Sequence, residues 1–185
     1  MTIIEFFQYI KVPLLILHVI SVVFGMGAAL VSDILFSFYG KDKELNDTEI
    51  RTLNILSKIV FYGLIFIVLS GVGIFITDID KYSHSAKFLT KMSIMAVLLI
   101  NGFVLNSYVW PRLLSKTFFT SPTDRNIRRI AFACGAVSVV SWVIICALGV
   151  MKSIPVSYGI AMSLYLIGTI FAITVALVVE KRELD

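Results

Sequence analysis

Charge is scarce in this chain: Asp, Glu, Lys and Arg make up 15% of its 185 residues, against 58% hydrophobic ones. With a mean hydropathy of +0.94, no water-soluble domain of this length fits. Cysteine and histidine are scarcer still, at two each. Cys134 and Cys146 fall on one helix, about 18 Å apart at 1.5 Å per residue, too far to form a disulfide with each other. No CxxC, HExxH, GxSxG or phosphate-binding loop occurs, which disfavours hydrolases and nucleotide-driven pumps. There is also no low-complexity tract and no linker, so residues 1–185 read as a single integral membrane domain.

What the chain has instead is five long apolar runs: Val12 to Ser32, Ile59 to Ile76, Met92 to Trp110, Ile130 to Met151 and Val156 to Val179. Each approaches the ~20 residues that a helix needs to cross a bilayer. Backbone polar groups in lipid must be bonded within their own segment, and the runs lack the alternation of a barrel strand. The expected fold class is therefore all-α, a polytopic five-helix bundle with helices near 12–38, 59–77, 91–110, 130–151 and 156–179. The first run is too long for the apolar part of a signal peptide and ends in Ser32, Asp33 and Ile34 with no small-residue cleavage motif, so it reads as the first span. Phe6, Phe7 and Tyr9 precede it as an amphipathic, interfacial lead-in.

Basic residues are unevenly shared between the connections. Eleven (Lys41, Lys43, Arg51, Lys58, Arg112, Lys116, Arg125, Arg128, Arg129, Lys181 and Arg182) fall on one side, and five (Lys11, Lys81, Lys87, Lys91 and Lys152) on the other. The positive-inside rule then predicts an N-terminus outside and a C-terminus in the cytoplasm. This bias also accounts for the net charge of +4 without a nucleic-acid partner.

Local signals refine the picture. Asn46, Asp47, Thr48 and Glu49 predict a helix start, with Asp47 as N-cap, that runs on into the second span. Thr123 or Asp124 is the expected cap of the fourth. Small residues four apart mark helix contacts at Gly25 and Ala29, Cys134 and Ser138, and Gly159 and Ser163.

The polar residues inside the spans carry the functional expectations. His18 lies ~9 Å into the first span, and an ionisable group there marks a functional site by default. Lys91 opens the third span at the same outer level, with His84 in the connection before it. Ser141, Trp142, Cys146, Tyr158, Ser163 and Tyr165 share that level. Ser21, Val22, Gly25 and Ala29 form a small-residue lane beneath His18 that admits either a neighbouring helix or a flat ligand such as a haem edge. Alternatively, His18 only hydrogen-bonds another helix at Ser141 or Tyr165. Lys91 is either a functional lysine or one that snorkels to the headgroups. Asn101 and Asn106 are expected to bond between helices, and Asp33, ~22 Å from His18, to pair with Lys58 or Arg112. Met92, Met95, Met151 and Met162 near His18 and His84 would suit Cu(I), or simply fill apolar space.

The run Leu17-His18-Val19-Ile20-Ser21-Val22-Val23-Phe24-Gly25-Met26-Gly27, with Ser70-Gly71 and the stretch from Lys87-Phe88-Leu89-Thr90-Lys91-Met92 to Val109-Trp110-Pro111-Arg112-Leu113, resembles a broad group of bacterial membrane proteins. The group includes the HemJ-type protoporphyrinogen oxidases and the CopD-type copper-resistance proteins. The first resemblance implies an oxidoreductase with haem b or a porphyrin held at His18 and with Lys91 as the residue needed for activity; Ser21 and Gly25 of the lane beneath would then line the cofactor. The second implies copper, with His18 as its ligand, moved across the bacterial inner (plasma) membrane. Phe24 in place of a tryptophan, Asn101 and Asn106 in place of a histidine, and five spans point to a sister family. A non-catalytic scaffold, as a homo-oligomer or a subunit in the lipid bilayer, is the third expectation.

The charge bias yields a direct test of topology. A cysteine placed at Ser83 should react with a membrane-impermeant maleimide in intact cells, and one placed at Thr120 should not; the reverse pattern overturns the orientation.

Overall fold

The computed structural model describes residues 2–40, 45–113 and 118–184. Lys41, Lys43 and Lys116, counted above among the basic residues, lie outside them. Among the described residues the protein is all-helical, with no strand, and five helices are long and apolar enough to cross a membrane. It is an integral membrane helix bundle.

The lead-in is a short helix, α1 (Ile3–Tyr9), closed by a capping box in which Thr2 Oγ1 accepts from the Glu5 amide and Glu5 accepts from the Thr2 amide. It turns at Ile10 into α2 (Lys11–Tyr39) and returns through α3 (Asp47–Ile76). A short α4 (Ile79–Ser83) leads to α5 (Ala86–Val104), which continues through a π-helical turn at Leu105–Val109 into α6 (Trp110–Leu113). A 3₁₀ turn at Pro122–Asp124 opens α7 (Arg125–Val150), and α8 (Tyr158–Leu184) closes the bundle. The chain's two ends thus lie at opposite ends of the bundle, here called the N-face and the C-face.

Several helices begin earlier than their apolar runs because their first turns are polar and capped. In α3 the cap is Asn46, not Asp47: its side chain accepts from the Glu49 amide at 2.9 Å, and Glu49 accepts from the Asn46 amide at 2.8 Å. Ser85 caps α5, so Lys91 sits more than a turn inside that helix instead of opening it. Asp124 stands at the start of α7 but makes no side-chain capping bond there.

The tightest packing joins α2 and α3. A Cβ added to Gly63 would stand 2.9 Å from the Gly25 Cα, so these two glycines let the backbones meet. Trp142 of α7 lies over the same point, 3.1 Å from where a Gly25 Cβ would be, and is almost fully buried. Leu14 and Phe7 close on Gly73 toward the N-face. Around this junction Ala29, Leu64, Ile67, Ile94, Met95, Leu98, Trp142 and Ile145 form the main core. The expected contact at Gly159 and Ser163 is not made within the chain, since both are exposed and nothing approaches a Gly159 Cβ.

A second cluster, with Leu45, Val109, Leu113, Phe118 and Phe119, closes the C-face; Phe36 meets Phe118, Phe119 and Phe132 at ring separations of 6.4, 5.4 and 5.6 Å. Beside it, α8 is tied to α7 by ion pairs. Buried Glu180 lies 3.9 Å from Arg128 and 3.7 Å from Arg129, while Arg128 donates to the Phe118 and Ser121 carbonyls at 3.0 and 2.7 Å. With its charge met on both sides, a buried arginine is tolerable at this depth.

The glycine contact generates a controlled prediction. Gly63→Ala should lower the thermal midpoint in detergent by several degrees, in line with about 1–3 kcal/mol for overpacking a closed site. Gly27→Ala, where nothing lies within 4 Å, should leave it unchanged or raise it slightly. Equal effects of the two would remove the close contact.

Candidate functional site

The expected single level of polar groups resolves into separate pairs. His18 Nδ1 lies 2.9 Å from Ser70 Oγ, across the α2–α3 contact, and a Cβ at Gly71 would meet the edge of the imidazole at 3.7 Å. Ser70 Oγ in turn donates to the Phe66 carbonyl at 2.5 Å, leaving its lone pairs to accept from His18 Nδ1–H. The expected alternative partners are engaged with each other instead: Ser141 Oγ and Tyr165 Oη are 2.8 Å apart. Lys91 lies within electrostatic range of His18. Lys87, one turn earlier, donates to the Met151 carbonyl, and Ser93 pairs with Tyr158 at 2.9 Å. His84 is on the exposed N-face, bonded to the Asp80 carbonyl.

The small-residue lane under His18 is occupied by protein. Ser21 is buried and donates to the Leu17 carbonyl at 2.7 Å, and Gly25 is covered by Gly63 and Trp142. In this packing α3 lies along the lane at Gly25. Of the four methionines, Met95 is buried in the core and Met162 packs against it, whereas Met92 and Met151 are exposed. No group of three or more His, Cys, Asp or Glu that could hold a metal occurs among the described residues.

A sizeable cavity lies elsewhere. Toward the N-face α3 and α5 are drawn together by stacked Phe75 and Phe88, with ring centroids 5.2 Å apart. Nearer the C-face these helices bound a cavity of about 780 Å³, backed by α2 and α7. Its walls are mostly apolar, and Phe61, Leu69 and Phe103 on its rim are 60–68% exposed, so it opens sideways toward lipid. Asn54, Ser57 and Lys58 line it from α3, Ser32 and Asp33 from α2, Ser138 from α7, and Asn106 from the π-helical turn.

That turn has a cause in the sequence. Pro111 has no amide hydrogen, and its ring collides with the carbonyl four residues back, that of Ser107, so the helix before it cannot keep regular α geometry. The helix widens instead, the Trp110 amide donates to the Leu105 carbonyl, and Asn106 and Trp110 line the cavity.

Asp33 is the anomaly in this wall. Its Oδ2 is buried without a hydrogen-bond partner. The expected pairing with Arg112 is not made: Arg112 lies 3.6 Å from Asp124. Lys58 lines the same cavity, but no ion pair joins it to Asp33 within 4 Å. Oδ1 is directed at the α7 backbone, where a Gly135 Cβ would stand 3.3 Å away. Of the two asparagines, Asn101 does bridge helices, donating to the Cys134 carbonyl at 3.0 Å, whereas Asn106 is exposed at the cavity.

Sequence reasoning named His18 and missed this cavity. The criterion that singled out His18, an ionisable group inside an apolar run, applies equally to Asp33. Comparison with known proteins gives no further guide, since no family model matches the chain and no curated protein or solved structure matches it either.

The His18–Ser70 bond is open to measurement. A double-mutant cycle of His18→Ala and Ser70→Ala should give a coupling of about 0.6–2 kcal/mol, the range for polar pairs between membrane helices. Strictly additive single effects would mean that the bond is not made.

Proposed function

We propose that this membrane protein binds a membrane-dissolved amphiphile in the lateral cavity between α3 and α5. The observation that carries the reading is the cavity itself: about 780 Å³, apolar along its length, open at a rim of exposed aromatic and aliphatic side chains, and polar at Asp33, Asn54, Ser57 and Asn106. Its size falls within the ~300–1,000 Å³ typical of small-molecule sites. A molecule already dissolved in the bilayer would enter sideways, keep its chain against the apolar walls and seat its polar end among these groups.

Haem or copper at His18, with Lys91 as an active residue, is a second proposal. One observation favours it: Ser70 holds Nδ1 and leaves Nε2 as the free donor, the arrangement that orients metal-binding imidazoles. Ser21 and Gly25 lend it no support, since α3 and Trp142 cover them.

Photo-cross-linking separates the two. Hexadecanol carrying a diazirine in its chain, added to the protein in lipid nanodiscs, should label peptides containing Phe61, Leu69 or Phe103. Gly102→Phe, which places a ring in the cavity, should abolish that labelling, and His18→Ala should leave it intact. Labelling spread evenly over all lipid-facing helices would remove the amphiphile reading. A Soret band in the purified protein that disappears in His18→Ala would establish the second.

A further inference from the structure

We propose that the head group received by this cavity is a hydrogen-bond donor, a hydroxyl or a primary amine, and that the carboxyl of Asp33 on the cavity wall is the acceptor that selects it. The inference rests on the amphiphile reading and adds the chemistry of the ligand's polar end.

A buried polar atom without a partner is strongly disfavoured, and more so where the neighbouring solvent is hydrocarbon. Many polar side chains of the spans have partners within the protein. Ser21, Ser70, Thr90, Ser141, Ser163, Thr169 and Thr174 each donate to a carbonyl of their own helix, His18 meets Ser70, Asn101 meets Cys134, and Glu180 meets two arginines. Three buried side-chain atoms have no hydrogen-bond partner among the described residues, Asp33 Oδ2, Asp124 Oδ1 and Arg128 Nε, and of these residues Asp33 lines the cavity. Acyl chains of the bilayer could fill the apolar part of that space but would bring no donor to the Asp33 carboxyl.

The surroundings limit what can satisfy it. A carboxyl group keeps an accepting oxygen in either protonation state, and the group that complements it brings an N–H or O–H. A permanently anionic head placed against Asp33 would meet like charge. A neutral hydroxyl and an ammonium each bring such a donor. Asn54, Ser57 and Asn106 supply further polar contacts beside the same space. Long-chain alcohols and long-chain amines share this chemistry; the corresponding methyl ether keeps the chain and loses the donor.

The experiment is competition against the photoreactive hexadecanol label in nanodiscs, using unlabelled hexadecanol, hexadecylamine and 1-methoxyhexadecane. In the wild-type protein hexadecanol or hexadecylamine should compete about tenfold or more better than the ether, the range for a hydrogen bond to a charged group. Which of the two competes better identifies the source of the donor. In Asp33→Leu the three should compete equally while the label still enters, because the apolar walls remain. Removing an unpartnered buried carboxylate should not destabilise the fold, and the thermal midpoint checks this. Asp33→Asn, which retains a carbonyl acceptor but no charge, should keep part of the preference for the alcohol and lose any excess for the amine. If the ether competes as well as the alcohol in the wild-type protein, the donor inference falls while the cavity reading stands. If the label never reaches the cavity, both fall.

Discussion

The close approach of Gly25 to Gly63, with Trp142 laid across it, is the constraint from which the rest of the bundle follows. Water-driven burial does not distinguish one apolar helix from another inside a bilayer, so close backbone packing and internal hydrogen bonds decide which helices meet. The glycines allow α2 and α3 to touch, and the indole anchors α7 to the same point. Once that junction is set, the stretch of α2 above it faces α3, and His18 finds Ser70. The stretch below it faces the space between α3 and α5, and Asp33 finds no partner. The two ionisable residues of one helix therefore have opposite fates because they lie on opposite sides of a single contact.

Much of the fold was legible because hydropathy in a membrane protein is nearly a direct readout of spans. Five apolar runs gave five helices, and the capped polar turns at Asn46 and Ser85 explain why those helices start earlier than the runs. The lane beneath His18 was legible as a lane, but its occupant was not. Small residues at Ser21 and Gly25 permit a helix or a ligand equally, and only the position of Gly63 on α3 decides between them. The pairing of Ser141 with Tyr165, which removes both as partners for His18, likewise depends on how α7 and α8 are rotated. Nothing in a single chain's spacing fixes that rotation.

The cavity was hidden for a different reason. Its polar residues come from α2, α3, α7 and the π-helical turn, with no spacing in the sequence that links them. The one local sign was Pro111, and its consequence is indirect. A proline normally breaks a helix, but here the chain answers by inserting a wider turn, and the helix goes on for a further turn to Leu113. Asn106 and Trp110 line the cavity from either end of this irregular segment.

The closures at the two faces complete the account of why a cavity persists in a bundle that is otherwise packed. At the N-face Phe75 and Phe88 stack, and Lys87 reaches across to the Met151 carbonyl, so α5 is held both to α3 and to the connection before α8. At the C-face Phe36, Phe118 and Phe119 close the floor, and Glu180 with Arg128 and Arg129 fixes α8 against α7. Collapse of α3 onto α5 would require one of these anchors to give way, and it would press Asp33, Asn106 and Lys58 together with the apolar side chains between them. The apolar walls favour closing the gap and the polar groups oppose it. A separate molecule with both characters satisfies both demands, which is why the strained chemistry of Asp33 and the volume beside it are best understood as one site.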